Sequence, residues 1–198
     1  MSRLHYYAAM VFLVASLFSL VGPGMARALP EFQGTASPGP GAATQPVPAT
    51  GARGWFQNMK PFCNTVEADV ALRNTPAPEG ADGVAYTAAC LALAGRIDPA
   101  REAIASLPLS DRARAAGVVF DVAHPIADAG DDRSAGPIMG LVVEFWPNHY
   151  MALYHAGMAS YGLGYTILAR KYLEEFLVLY EQEDGWRSNA QTVLRRLK

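Results

Sequence analysis

The sequence predicts an all-helical protein in which three similar helix pairs stack on one another. The first observation is a trio of small residues that occurs three times along the chain. The trios are Ala88, Gly95 and Ala100, then Ala123, Gly130 and Ala135, then Gly157, Gly164 and Ala169. The second observation is their spacing, because corresponding members lie 35 and then 34 residues apart. A period of this length is typical of repeat proteins, in which a single unit cannot bury its apolar face alone.

The third copy shows most clearly what the small residues do. A helix is predicted from Asn148, the expected N-cap, to Gly164, which supplies a left-handed turn before a second helix. Apolar residues at intervals of three and four mark the buried side of that second helix: Ile167, Leu168, Tyr172, Leu173, Phe176 and Leu179. Small residues in both helices allow the two backbones to approach closely.

The other two copies contain residues that weaken helices. In the first, Pro108 limits the length of a second helix that begins near Pro99. The second copy carries such residues in both of its helices, namely Pro125, Gly136, Pro137 and Gly140. The expectation is therefore three degenerate units rather than three copies of one ideal unit.

This pattern resembles the tetratricopeptide repeat, a helix pair of 34 residues with small residues in both helices and a glycine at the turn. The units cover residues 81–115, 116–149 and 150–183. The resemblance implies a right-handed superhelix with an inner groove lined by the first helix of each pair. Six residues take those lining positions here: Phe120, His124, Asp128, Tyr154, Met158 and Tyr161. Aromatic and methionine side chains suit the binding of a peptide.

The N-terminus has the features of an export signal. Arg3 precedes an uncharged and largely apolar run over residues 8–21, in which Ser16 and Ser19 are the polar residues, and Ala26-Arg27-Ala28 is a small-x-small cleavage site. Residues 1–28 are predicted to be removed, and the alternative is an uncleaved helix that anchors the chain in a membrane. Residues 29–53 are rich in proline and glycine, which predicts a disordered linker before a folded domain over residues 54–198.

Two cysteines, Cys63 and Cys90, suggest a disulfide in an exported protein, and the alternative is a pair of buried free thiols. Residues 64–73 allow two interpretations. Asn64 and Glu67 form a capping pair typical of a helix, whereas the alternating apolar residues Val66, Ala68, Val70 and Leu72 would fit a strand. The helix is favoured because it would cover the end of the first unit.

The C-terminal residues 184–198 predict an end helix that covers the last repeat. Asp184 is its expected N-cap, and its apolar side is formed by Trp186, Ala190, Val193, Leu194 and Leu197. Apart from Arg195, Arg196 and Lys198 at the end of this helix, the basic residues are scattered along the sequence. The chain therefore lacks the pattern of positive charge typical of nucleic-acid binding.

Candidate chemistry is concentrated around His124 and Asp128, which are four residues apart and could reach one metal ion from one helix face. Pro125 lies between them, no third ligand is evident, and Asp131 or Asp132 is explained as the N-cap of the next helix. His149 and His155 are expected to be capping or groove residues. Phosphate-binding loops and hydrolase signatures do not occur in the sequence.

The sequence thus predicts a non-catalytic protein–protein interaction or assembly module of the periplasm or extracellular space. Its partner would be a protein or peptide, with no nucleic acid, no cofactor and no metal involved. Contact with a membrane is expected only if the N-terminal segment is uncleaved. The main alternative is a structural subunit of an envelope complex that this segment anchors in the membrane, and a more distant one is a metal-dependent hydrolase around His124.

Overall fold

The computed structural model describes residues 51–197, which form helices and contain no strand. The predicted signal peptide and nearly all of the predicted linker lie outside these residues. The helices are α1 (Ala52–Met59), α2 (Ala68–Asn74), α3 (Ala81–Leu93), α4 (Ile97–Ala105), α5 (Leu109–Asp128), α6 (Asp132–Phe145), α7 (Tyr150–Gly162), α8 (Thr166–Leu179) and α9 (Gly185–Arg196). A short 3-10 turn, Lys60–Phe62, follows α1 directly. The predicted all-helical class is confirmed.

Three of the connections between helices are made in the same way. Gly95, Gly130 and Gly164 follow α3, α5 and α7, and each has a positive φ, of 74°, 78° and 81°. At the first turn, the Gly95 N–H donates to Ala92 O and the Arg96 N–H donates to Leu91 O. The corresponding two bonds also close the other two turns. This is the Schellman ending, which requires a left-handed residue and therefore explains why glycine recurs at each turn.

The small residues around these turns are buried where helices meet. Ala88, Ala100 and Ala169 are 0 % exposed. In the third pair, a Cβ atom added at Gly157 would lie 2.7 Å from the Leu173 side chain. The recurring small residues therefore permit close packing within the pairs α3–α4, α5–α6 and α7–α8.

The helix-weakening residues do not interrupt the helices that contain them. Pro125 lies inside α5 and Pro137 inside α6. At Gly136, an added Cβ would come within 2.9 Å of the Ala159 Cβ, so glycine is needed for α6 to pack against α7. Pro108 does end the first pair as predicted: α4 stops at Ala105 and α5 begins at Leu109.

The predicted capping residues are confirmed at two helices and wrong at one. Asp131 caps α6 by accepting from the Ser134 N–H, and Asp184 caps α9 by accepting from the Trp186 and Arg187 N–H groups. The N-cap of α7 is His149 rather than Asn148, because the His149 Nδ1 accepts from the Ala152 N–H at 3.2 Å. Packing of the His149 ring against Trp146 holds it in this position.

The segment before the repeats is helical and covalently linked to α3. Of the two interpretations of residues 64–73, the helix is confirmed from Ala68 onward, where α2 begins. Asn64 Oδ1 accepts from the Glu67 N–H at 3.0 Å in the turn before the helix, and the N-cap of α2 is Glu67. The predicted disulfide is also confirmed: Cys63 is bonded to Cys90, which lies inside α3. This bond fixes the chain between α1 and α2 on the first helix pair.

Candidate functional site

The structure brings together two of the six residues predicted to line the groove and His155, which was expected to be a capping or groove residue. His124 and Asp128 lie on the last turns of α5, and His155 lies in the middle of α7. Their ligand atoms are all within 4.8 Å of one another. We refer to these three residues as the His–Asp cluster.

The carboxylate of Asp128 lies between the two imidazoles of the cluster. Its Oδ1 is 3.4 Å from His124 Nε2 and 3.5 Å from His155 Nε2. The α-helix continues through Pro125, so His124 and Asp128 share a helix face as their spacing predicts. Both Nε2 atoms are buried, and neither has a hydrogen-bond partner among residues 51–197.

Aromatic neighbours hold the two imidazole rings of the cluster in place. The His124 ring stacks on Phe120 with ring centroids 4.6 Å apart. The His155 ring contacts the edge of Trp186 at 5.6 Å, and it packs against Tyr154 as well. The rings therefore have little freedom to turn away and find other hydrogen-bond partners.

His155 is the most deeply buried member of the cluster, with 6 % of its surface exposed. The pKa of His155 is lowered to about 4, chiefly by burial and also by the nearby His124, whereas Asp128 acts in the opposite direction. The imidazole is therefore neutral at neutral pH. A buried polar nitrogen without a partner typically costs about 1–3 kcal/mol, so an unpaired arrangement of this kind calls for an explanation.

A cavity of about 270 Å³ adjoins the cluster. Asp128 and His155 form part of its wall, together with Asp132, Met158 and Trp186. Asp128 is the most accessible member of the cluster, with 48 % of its side chain exposed. Ions and small molecules can therefore approach the cluster from the cavity.

Two of the residues predicted to line the groove are core residues. Tyr154 is 5 % exposed and packs edge-on against Phe176 and Trp186, with ring centroids 5.2 and 4.7 Å away. Burial also raises the pKa of Tyr154. Phe120 is 8 % exposed and stacks on His124. The expectation that Tyr154 and Phe120 present open contact surface is thus wrong, because α9 and the histidine rings cover them.

The other predicted groove residues, Met158 and Tyr161, are half-buried on α7. Met158 borders the cavity beside the His–Asp cluster. They retain some surface for contact with another molecule, but they do not form a continuous aromatic face with Tyr154.

A larger apolar concavity lies elsewhere and was not predicted from the sequence. It is a groove of about 610 Å³ between α1 and α2, which we call the N-terminal groove. Its lining consists of Trp55, Asn58, Met59, Phe62, Val66, Glu67, Val70, Ala71, Asn74 and Thr75. The intervals of three and four residues from Trp55 to Val70 were the available sequence signal. This spacing alone does not show that the apolar residues face one concavity. That depends on the course of the chain between α1 and α2, which the disulfide fixes.

No protein-family model matches the sequence, and no similar curated protein or solved structure was found. Within residues 51–197, no helix combines the length and the apolar character that a membrane span requires.

Proposed function

We propose that this protein is an exported interaction module, with three degenerate tetratricopeptide-like helix pairs as its scaffold. In this proposal the N-terminal groove binds an apolar, positively charged segment of a partner protein. The scaffold is supported by the three identical glycine turns and by the buried small residues on either side of each turn. Export is supported by the signal-like N-terminus and is consistent with the disulfide.

The observation that carries the binding function is the apolar exposure of the N-terminal groove. Val66 is 84 % exposed, Val70 is 51 % exposed and Phe62 is 45 % exposed, and all three line the same concavity. A contiguous apolar surface of this kind marks an interaction site more often than scattered apolar residues do. The groove thus offers apolar anchoring surface that the buried Tyr154 and Phe120 do not.

The walls of the N-terminal groove are held in place before any partner binds. Trp55 Nε1 donates to Thr75 O at 3.0 Å, which connects α1 to the end of α2. The Cys63–Cys90 bond fixes the turn between the two helices to α3. A rigid groove lowers the entropic cost of binding, which favours recognition of a peptide segment.

The charge of the groove indicates the chemistry of the segment. Glu67 is the one ionisable residue among those that line it, and the rest of the lining is apolar or uncharged. A partner segment with aliphatic or aromatic anchors and a lysine or arginine would complement both features. Such a segment is the occupant that we propose.

Site-specific photo-crosslinking in cells tests this assignment. A photoreactive residue in place of Val66 should form an adduct with a partner, and Val70→Asp in the same chain should abolish that adduct. The control position is Val178 on α8, which is 77 % exposed and does not line the groove. The proposal fails if the photoreactive residue gives the same adducts at Val66 and at Val178, or if Val70→Asp leaves the Val66 adduct unchanged. It also fails if the Val66 position crosslinks to residues 29–50 of this chain and not to a partner.

The export part of the proposal has its own test, which is N-terminal sequencing of the protein from the producing cell. A mature chain beginning at Leu29 is expected, since cleavage should follow Ala28. A chain that retains residues 1–28 would instead favour the membrane-anchored alternative.

A further inference from the structure

The His–Asp cluster has a donor set that protein–protein binding does not explain. Two imidazole nitrogens and one carboxylate converge from α5 and α7, and the groove proposed above lies on α1 and α2. His155 is more than nine-tenths buried, and its Nε2 has no hydrogen-bond partner within residues 51–197. Buried polar atoms in native proteins are nearly always satisfied, so a missing partner is the simplest account.

We propose that His124, Asp128 and His155 bind one divalent first-row transition-metal ion, for which Zn²⁺ is the probe. Imidazole and carboxylate together suit ions of this class, whereas Ca²⁺ and Mg²⁺ require sets of oxygen ligands. Two histidines and one carboxylate also make up a recurrent protein donor set for zinc and for non-haem iron.

The distances within the cluster fit a common ion. Ligands about 2.1 Å from a tetrahedral ion lie about 3.4 Å from one another. The distances from Asp128 Oδ1 to His124 Nε2 and His155 Nε2, 3.4 and 3.5 Å, already have this value. Since no pair of ligand atoms is more than 4.8 Å apart, the two imidazole nitrogens need to approach each other by at most about 1.4 Å.

The same geometry explains why the atoms lie close together without forming hydrogen bonds. His124 Nε2 and His155 Nε2 are both near Asp128 Oδ1, yet neither makes a hydrogen bond with it. A metal ion between the three atoms would accept a lone pair from each, and it would satisfy both nitrogens at once.

Three protein ligands leave one tetrahedral position free, and the cavity beside the cluster makes that position accessible. Asp128 and His155 both border this cavity, and Met158 and Trp186 contribute apolar surface to its wall. Water, or a small ligand with an oxygen donor and an apolar part, can therefore occupy the fourth position. Structural zinc sites generally have four protein ligands, so this arrangement belongs to the open kind.

Titration of the purified full chain, prepared without a histidine tag and after treatment with a chelator, tests the site. We expect one Zn²⁺ to bind per chain, measured by competition with a chromophoric chelator, and Ca²⁺ and Mg²⁺ not to compete. Co²⁺ should give the visible absorption of a tetrahedral site. Zn²⁺ should also raise the melting temperature, because it joins α5 to α7.

Three variants locate the site within the chain. His124→Gln and Asp128→Asn should each lower Zn²⁺ affinity at least 10-fold and remove the Co²⁺ absorption. His149→Asn is the matched control, because His149 lies outside the cluster and asparagine can still cap α7. This control should bind Zn²⁺ as the unmodified chain does.

Neither of the two cluster variants removes the deeply buried His155, so both are expected to fold, and circular dichroism checks this directly. The proposal is overturned if the unmodified chain binds no Zn²⁺ at micromolar concentrations. It is overturned equally if folded His124→Gln and Asp128→Asn retain full affinity, or if His149→Asn loses affinity as they do.

Discussion

The core that extends from α1 to the first half of α7 and the core between α7 and α9 are built from different kinds of residue. The first is dominated by alanine, including Ala88, Ala100 and Ala116, each of which is 0 % exposed. The second is dominated by large side chains: Leu153, Tyr154, Leu173, Phe176, Tyr180 and the half-buried Trp186. Phe176, for example, packs against both Tyr154 and Tyr180, with ring centroids 5.2 and 4.9 Å away.

This difference shows two ways of stabilising the ends of a stack of helices. Alanine allows close packing but buries little apolar area per residue, so the N-terminal end gains from the covalent bond between Cys63 and Cys90. The C-terminal end contains no cysteine, and there a few large aromatic side chains supply the buried area. We therefore expect substitutions to affect the two ends unequally and largely locally, as in other chains of stacked units.

The largest effect is expected from Phe176→Ala. Phe176 is 0 % exposed, so its removal should leave a cavity that the surrounding side chains fill only partly. The free energy of unfolding should fall by about 3–5 kcal/mol. Urea denaturation measures this change, and hydrogen exchange should accelerate chiefly in α7, α8 and α9. The control Val178→Ala on the same helix, at a position 77 % exposed, should change stability by about 0.5 kcal/mol or less. Equal effects of the two substitutions would contradict the aromatic core.

Removal of the disulfide should affect the opposite end. Cys63 and Cys90 are 27 residues apart, and in the chain-entropy model a loop of this length stabilises the fold by about 3–4 kcal/mol. Cys63→Ala with Cys90→Ala should lose about this amount in urea denaturation. Exchange should accelerate in α1 and α2, and α8 and α9 should stay protected. Uniform acceleration along the chain would show that the two ends are not independent.

An intermediate effect is expected where the two helices of the third pair cross. Ala169 is 0 % exposed, so Ala169→Leu overpacks the contact and should cost about 1–3 kcal/mol. Lys171→Leu on the same helix introduces the same side chain at an exposed position and serves as control. Thermal denaturation compares the two variants. A melting temperature for Ala169→Leu equal to that of the control would mean that α8 packs on α7 through another face.

The sequence predicted the features of this fold that depend on neighbouring residues. The glycine turns and the cap at Asp184 are set by local backbone geometry and are predicted correctly, and for α6 the sequence left Asp131 and Asp132 as alternatives, of which Asp131 is the cap. The helical spacing of His124 and Asp128 was equally readable, since four residues make about one turn.

Contacts between distant helices were harder to predict. His155 joins the cluster only because α6 brings α7 back beside α5, and nothing within α7 indicates this. The resemblance to tetratricopeptide repeats places Tyr154 in an open groove, because in that family the first helix of each pair lines the inner surface. The resemblance does not show that Trp186 of the end helix covers Tyr154. The N-terminal groove likewise depends on the path of the chain between α1 and α2.

The smallest effect concerns the histidine that caps α7, between the two cores. The His149 Nδ1 can accept from the Ala152 N–H only while the imidazole is neutral. Burial lowers the pKa of His149 below its usual value, although Asp121 opposes this shift and His124 adds to it. The unfolded chain therefore takes up this proton first as the pH falls. The stabilisation is complete above the unfolded pKa of about 6.5 and is lost progressively below it.

His149→Asn isolates this contribution, because asparagine caps a helix at any pH in this range. The stability of the unmodified chain relative to His149→Asn should fall by about 0.5–2 kcal/mol at most between pH 7.5 and pH 5.5, the size of one side-chain cap. Urea denaturation of both proteins in the presence of a chelator measures the difference and keeps metal binding at the His–Asp cluster out of it. A difference that stays constant over this range would mean that the Nδ1 cap contributes no stability. The packing of the His149 ring against Phe120 and Trp146 would then be what holds the start of α7.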